Sequence, residues 1–315
     1  MTEPYPFLST TKPSAPATLL AQARSLPVPR VALVNAGAVN PLLGIREAAE
    51  AGLAEPILIG DEAKIRAAAE EVGYDISQLR LIHAPHAEAS IKAAELAREG
   101  EADAIMKGQV HTSTFLKGLL PSKAGLRDRK TRCGHVFHIT TPHNDRPLLL
   151  TDAALNVNPS VATRQACLTH AVTLAQTLGI TRPKAALLAP SEDATPSIAN
   201  TMESAEIAAW AQENLPQADV AGPMAMDLIL SKRAAEVKSY VSPVAGDADI
   251  IVTPNITSGN ALFKLFVLGM GCCAGGLVIG AKVPILLTSR SQEAPARLAS
   301  AALGVIAADQ AKGAA

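Results

Sequence analysis

The sequence predicts an α/β protein with mostly parallel sheets, and three observations lead there. Short apolar runs alternate with helical patterns from Val31 to Ala308, and repeated βα alternation implies parallel strands covered by helices. The 315 residues, set against about 100–200 residues per domain, point to two domains or one large one. Residues are 48% hydrophobic and 18% charged, a composition that argues against a disordered chain.

The elements follow in order. Val31–Val34 reads as a strand and Gly44–Ala51 as part of a helix. Pro56–Ile59 is a strand ending in Gly60-Asp61, with a helix from Ala63 to about Val72. Leu79–Ile82 is a strand and Glu88–Arg98 a helix. Asp103–Met106 is a strand ending at Lys107-Gly108, and Thr112–Leu120 opens a helix. His135–Thr140 and Pro147–Thr151 flank a polar turn and read as a hairpin. Ala162–Leu178 is a helix, Lys184–Ala189 a strand, and Ala199–Glu213 and Ala225–Lys238 are helices. Asp249–Val252 and Leu277–Ile279 are strands around a helix at Ala261–Leu268. Pro284–Leu287 is a strand and Pro295–Ala308 the final helix. The polar break at 142–146 is the candidate boundary, and the last helix is expected to return to the first domain. That gives 1–145 with 278–315 as one domain and 146–277 as the other.

Composition narrows the partners. With 28 basic and 29 acidic residues, nothing calls for nucleic acid or a membrane surface, and 3% aromatic residues leave little for base stacking. Cys133, Cys167, Cys272 and Cys273 form no CxxC pair, which suggests reduced thiols in a cytoplasmic protein. The N-terminus has no charged region followed by an apolar run, so it is not a secretory signal. Its Pro, Ser and Thr content suggests a mobile arm over 1–26. Leu265–Ala281 carries no charge, but five glycines punctuate it. It reads as a buried helix, a turn and a buried strand rather than a membrane span.

In open α/β sheets ligands bind outside the carboxyl ends of the strands, and five such places carry polar or Gly-rich residues. Lys107-Gly108 runs into His111-Thr112-Ser113-Thr114, where a helix start either binds an anion or is simply capped. Asp152 ends an apolar strand, four residues before Asn156, and either orients a reacting group or forms a turn. Ser242-Pro243…Gly246-Asp247 precedes a strand and reads as a connection or a site. Thr253–Asn260 gathers small and amide-bearing residues at a helix start, with Gly259 allowing close approach of a ligand. Ser289-Arg290 follows a buried strand, and a guanidinium there either grips phosphate bidentately or forms a salt bridge.

Other chemistries lack their motifs. There is no GxxxxGK[ST], HExxH or GxSxG, and no metal spacing among the seven histidines. His135 and His138 flank Val136-Phe137, so in a strand they point to opposite faces, one packed and one facing the site.

Taken together, ADAIMKG…TSTFLKGLL, HVFHITT, LLLTDAALNVNP, GPMAMDLIL, SPVAGDADIIVTPNITSGNALFK and ILLTSR resemble the phosphate acetyl/butyryl transferase family. The likeness runs from about Val31 to Ile306 and lies nearer the butyryltransferase-like branch. It also resembles the transferase unit of chains fused to an enoyl-CoA hydratase domain. The resemblance implies two three-layer αβα domains with an interdomain active-site cleft, and a homodimer. It implies reversible transfer of a short acyl group between coenzyme A and phosphate, with acyl-CoA and phosphate as substrates and no metal or tightly bound cofactor. Under it Ser289, Arg290 and Asp152 are candidate catalytic residues. Lys107, Gly108, Thr112, Thr114, His135, Thr257, Ser258, Gly259 and Asn260 are candidates for substrate binding. Two positions depart from the pattern. Ala296 stands where an Asp serves as the base in the acetyltransferase branch, which leaves Glu293, Asp152, His111, His135 or phosphate itself. Gly134 stands where Ser is expected. Two other readings compete: a catalytically inactive CoA- or acyl-phosphate-binding protein, kept alive by Ala296, and an isocitrate/isopropylmalate dehydrogenase-like NAD enzyme, whose metal-binding Asp clusters are not seen.

Overall fold

The apolar runs near the N-terminus become strands buried on both faces, as parallel strands between helix layers must be. In the computed structural model, which describes residues 5–287 and 293–313, the chain divides into two units. The first comprises Pro13–Thr131 and Gly275–Ala315, the second Arg132–Ala274 with the described residues before Pro13.

In the first unit, β1 (Arg30–Val34), β2 (Glu55–Gly60), β3 (Arg80–His83) and β4 (Ala104–Lys107) lie in the order β3-β2-β1-β4 and run parallel. Ala32 sits between Ile57 and Ile105. The crossovers carry α2 (Val39–Glu50), α3 (Glu62–Glu71) and α4 (Ala89–Arg98). Right-handed connection puts α2 and α3 on one face and α4 on the other, because the third crossover reverses direction. α5 (Thr112–Leu119) follows β4. The C-terminal segment completes this unit. β11 (Ile285–Leu286) pairs parallel with β4 and antiparallel with β10 (Cys273–Ile279), and α11 (Ala294–Gly313) packs on α1 (Ala17–Arg24), α2 and β4. A Cβ on Gly275 would lie 2.7 Å from the Ala299 carbonyl carbon, so the return of α11 onto β10 depends on that glycine.

The second unit holds β5 (Gly134–Thr141), β6 (Asn144–Thr151), β7 (Lys184–Leu188), β8 (Asp219–Met224) and β9 (Ile250–Val252), ordered β5-β6-β9-β7-β8. β5 and β6 are the expected hairpin, and the remaining pairs are parallel. Phe137, Leu150, Ala186 and Ile251 join one core cluster with Leu228, Ile229 and Phe266, the side of α8 (Met226–Leu230), α9 (Lys232–Val237) and α10 (Ile256–Lys264). Strand alternation leaves Val136, Leu149 and Ile250 for the opposite face, where α6 (Val161–Thr177) meets β5, β6 and β9 and packs on α7 (Ala199–Asn214). The α/β fold class and its mostly parallel pairing are as the sequence predicts.

Four expectations change. Residues 17–24 are helix α1, with Leu19 and Ala23 buried; the Pro-rich composition of the first sixteen residues does not extend over ATLLAQAR. Residues before Pro13 also make specific contacts, since Ser9 N–H donates to the Leu268 carbonyl at 2.8 Å. The turn at 142–146 joins paired strands of one unit, and the chain passes between units at 12/13, 131/132 and 274/275. The helix expected over 225–238 is two, broken at Ser231, whose Oγ caps α9 by accepting from Ala234 N–H at 3.2 Å. Finally, β8 is a strand the sequence conceals behind Gly222-Pro223. That glycine is required, because a Cβ there would meet Leu187 Cβ at 2.5 Å.

An ion-pair cluster around one buried carboxylate ties β1, β4 and α11 together in the first unit. Asp103 is 8% exposed and receives Arg30 on both carboxylate oxygens at 3.0 Å, the Arg30 N–H at 2.9 Å, and Lys312 at 3.0 Å. Burial alone would raise its pKa, but these donors outweigh it and hold the carboxyl at about 2. A carboxyl whose folded pKa lies below its unfolded value of about 4 stabilises the fold above that value. The contribution is lost as pH falls through about 2. Asp103→Asn is therefore expected to cost about 1–2 kcal/mol at pH 7 and almost nothing near pH 2, as read from urea midpoints. An equal loss at both pH values would remove the ion pair from this role.

Candidate functional site

The second unit offers a crevice at the carboxyl edge of its sheet. Adjacent parallel strands β6 and β9 are followed by α6 on one face and α10 on the other, the arrangement that opens a ligand crevice between two strand ends. Asp152 follows β6 and Thr253 follows β9.

Asp152 is buried, and its carboxylate is fully engaged. Oδ1 accepts from the N–H groups of Ala154 and Leu155, both at 2.9 Å. Oδ2 accepts from the N–H groups of His135 at 3.1 Å and Asn156 at 3.3 Å, and from Asn156 Nδ2 at 2.7 Å. A carboxylate has about four lone-pair sites, so five donors leave none for a proton in transit. The same Asn156 amide donates to the Cys133 carbonyl at 3.0 Å. Asp152 thus fixes the start of β5 and the 152–156 turn as one piece.

The start of α10 closes over this piece. Thr253 Oγ1 donates to the Asp152 carbonyl at 2.8 Å, and Asn260 Nδ2 donates to the Ala153 carbonyl at 3.4 Å. A Cβ on Gly259 would lie 2.5 Å from the Asp152 carbonyl oxygen and 2.9 Å from Ala153, so only glycine lets the helix come this near. Asn255 is the N-cap: its Oδ1 accepts from Ser258 N–H at 3.0 Å and from Ser258 Oγ at 3.1 Å. Ile256 N–H donates to Val157 O at 3.1 Å. Within this first turn the Thr257 N–H, beside an exposed Thr257 side chain, is left as the donor open to an anion among the described residues.

His135 lies on the α10 face of β5, its ring edge-on to Phe137 with centroids 4.3 Å apart. The ring is wholly buried, and neither nitrogen has a partner. Burial pushes its pKa down to about 4, against the opposing pull of the Asp152 charge. The imidazole is therefore neutral at physiological pH, with one N–H donor and one acceptor unspent. Such orphaned groups cost about 1–3 kcal/mol each and call for an explanation; a bound ligand supplies one. His138, on the opposite face, is also buried and held at about 4 by burial.

Gly134 has a local explanation. A Cβ there would stand 2.8 Å from Cys167 Sγ, so the α6 thiol occupies the space where a serine side chain would start. Burial first, and the Asp152 charge second, push that thiol up to about 12, and it packs as a protonated small side chain.

Lys107, Gly108, Thr112 and Thr114 belong to the first unit. Its strand order reverses between β1 and β4, again the place where a crevice opens. Lys107 is buried, with Nζ donating to the carbonyls of Gly108 and Val110 at 3.2 Å each. Gly108 N–H donates to Val34 O at 2.9 Å, and a Cβ on Gly108 would overlap that oxygen. Asn35, with φ of 54°, ends β1 and donates to His86 O at 3.1 Å. His111 is the N-cap of α5 without a side-chain bond, and Thr112, Ser113 and Thr114 are exposed on the first turn. The hydroxyls expected to cap this helix therefore do not cap it. Ser289 and Arg290 lie outside the described residues. Leu286 of β11 lies beside Met106 in parallel register. Ala296 is buried on α11, while Glu293 is exposed and its carbonyl accepts from the N–H groups of Ala296 and Arg297.

Two crevices floored by glycine and lined by amides, hydroxyls and a lysine suit anionic ligands, and known proteins agree with that chemistry. A family model described as phosphate acetyl/butaryl transferase matches residues 83–305. The chain belongs to the phosphate acetyl/butyryl transferase family. Phosphate acetyltransferase of Rhizobium meliloti is 38% identical over 265 residues, 84% of either chain. Phosphate butyryltransferase of Clostridium acetobutylicum is 33% identical over 292 residues, 92% of this chain and 97% of that one. Among solved structures, a branched-chain phosphotransacylase from Enterococcus faecalis V583 superposes with a TM-score of 0.77 at 29% identity, covering 89% of this chain and 99% of that one. Sequence reasoning passed over Asn35, placed Thr253 and Asn255 in the helix-start loop without giving either a contact, and gave Cys167 no partner. Asn255, three residues before Ser258 at a helix start, carried a legible capping signal; the others act through contacts distant in sequence.

The Gly134–Cys167 contact is testable. Gly134→Ser is expected to cost about 1–3 kcal/mol by overpacking, and adding Cys167→Ala should restore at least half of it. Additive losses in a double-mutant cycle of urea midpoints would show that the two positions do not share this space.

Proposed function

We propose that the protein is a phosphate acyltransferase that moves a short acyl group, acetyl to butyryl, reversibly between coenzyme A and inorganic phosphate. The observation that carries this reading is near-full-length similarity to both a phosphate acetyltransferase and a phosphate butyryltransferase. Coenzyme A is a substrate here, not a bound cofactor. Four buried free thiols are in keeping with a reducing cytoplasm. Exposed Leu265, Leu268 and Met270, beside exposed Phe7 and Leu8, favour a homodimer.

Phosphate oxygen attacks the thioester carbonyl carbon, the C–S bond breaks, and the proton carried by hydrogen phosphate ends on the CoA sulfur. In reverse, the thiol proton leaves with the phosphate. Atoms and charge balance without a side-chain base. The geometry favours this route, because Asp152 is saturated with donors and position 296 is an alanine. We assign Asp152 a positioning role. Arg290 and Ser289 grip phosphate and the developing oxyanion, for which a guanidinium fork is suited. Thr257, Ser258, Gly259 and Asn260 form the anion loop, and Lys107, Gly108, Thr112 and Thr114 contribute positive charge and donors. The neutral His135 ring donates a hydrogen bond to the substrate. The buried Ala296 gives a second reading some ground: binding of CoA or acyl phosphate without turnover.

Both readings meet one assay. CoA release, followed with a thiol reagent, should depend on phosphate with acetyl-, propionyl- or butyryl-CoA. Tight CoA binding with no release from any of the three would sink the transferase and leave the binding protein. Arg290→Ala should lower turnover at least about a hundredfold with an unchanged melting temperature; an unchanged rate would remove Arg290 from the mechanism.

A further inference from the structure

Aromatic side chains lie beneath the second unit's crevice. Phe263 of α10 lies parallel on Phe137 of β5, with ring centroids 4.0 Å apart and planes within 1°, and Phe137 in turn meets the edge of the His135 ring. Depth follows from the register. Val136 pairs with Thr151, so His135 lies level with Asp152 at the sheet edge. Phe137, opposite Leu150, is one side chain further in on the same face, about 7 Å along the strand. On α10, Phe263 comes three residues after Asn260, so the two share a helix face, and both are half-buried. Around the pair the packing is aliphatic: Leu150, Ala153 and Leu228 belong to the same buried cluster, and Met226 and Leu262 pack against it. From the lip inward this face changes from amide and imidazole to aromatic rings. A thioester group matches that sequence, with the carbonyl at the polar lip and the hydrocarbon tail inward.

We propose that the stacked Phe263 and Phe137 rings form the floor of the acyl site, and that Phe263 sets the longest acyl chain accepted. The proposal rests on the acyltransferase reading above. His135, with both ring nitrogens buried and unpartnered beside the stack, marks where the polar end of the ligand stops. Phe263 is the adjustable member, since Phe137 is 6% exposed within the core while Phe263 keeps an accessible edge.

The test is a series of saturated acyl-CoAs from acetyl to octanoyl, assayed at saturating phosphate with wild type, Phe263→Leu and Phe263→Trp. Discrimination of one methylene in an apolar pocket reaches about tenfold or more. Phe263→Leu should therefore raise the ratio of kcat/KM for hexanoyl-CoA to that for acetyl-CoA at least about tenfold, and Phe263→Trp should lower it. Opposite shifts from two substitutions support a steric floor, because general loosening would move both the same way. An active wild type whose chain-length profile is the same in both variants overturns the floor and leaves the transferase intact. A folded wild type that turns over no acyl-CoA overturns the transferase and the floor with it. Should Phe263→Leu fail to fold, the sign of the Phe263→Trp shift decides alone.

Discussion

The second unit's crevice depends on one buried carboxylate. Asp152 gathers four N–H or amide-bearing residues onto two oxygens, and its own carbonyl accepts from Thr253. Hydrogen bonds to a charged acceptor are about twice as strong as neutral ones, and here they join the start of β5 to the 152–156 turn, while the neutral carbonyl ties in the end of β9. Remove the carboxylate and these N–H groups lose their shared acceptor together. The contact of Gly259 with the Asp152 carbonyl then brings α10 down onto the same piece. The Thr257 N–H, the Asn260 amide and the His135 ring are all positioned by this network rather than by any one element.

Such a network divides labour between charges that hold and groups that act. Asp152 holds and has no capacity left. His135, kept neutral by burial, has both ring nitrogens unspent. Cys167, a thiol far above its ordinary pKa, fills space. In the proposed mechanism the positive charge comes from elsewhere, from Lys107 at the end of β4 and from Arg290.

Much of this was legible in the sequence. Strand ends and helix starts carried their signals locally: Lys107-Gly108, Asp152 and Thr257–Asn260 all fall at carboxyl edges of buried strands, because apolar runs that stop at polar or glycine residues mark where a parallel strand leaves its layer. Other features were hidden for physical reasons. β8 was concealed because its central residues are Gly222 and Pro223, chosen for the close approach to Leu187 and not for strand propensity. Helix α1 was read as arm because the prolines before it dominate the composition, while its stability comes from Leu19 and Ala23 packing in a unit whose last helix lies almost three hundred residues later. Asn35 and Cys167 were invisible for the same reason: their contacts are long-range, and nothing at their own positions announces them.

The two departures from the family pattern are of different kinds. Gly134 is a packing exchange, since Cys167 supplies the volume the missing side chain would have filled. Ala296 is a chemical one. It lies on the buried face of α11, with Ala299 and Leu303 covered beside it and the buried Ser300 hydroxyl already spent on the Ala296 carbonyl. A carboxylate needs water or donors to remain charged, and a base that is to take a proton from a thiol must first hold its charge. In the reaction proposed here the proton travels on the phosphate in both directions, so its transfer needs no residue at position 296. What the protein must then supply is position and a field for the developing negative charge, which is what glycine-floored crevices, open N–H groups and cationic side chains provide.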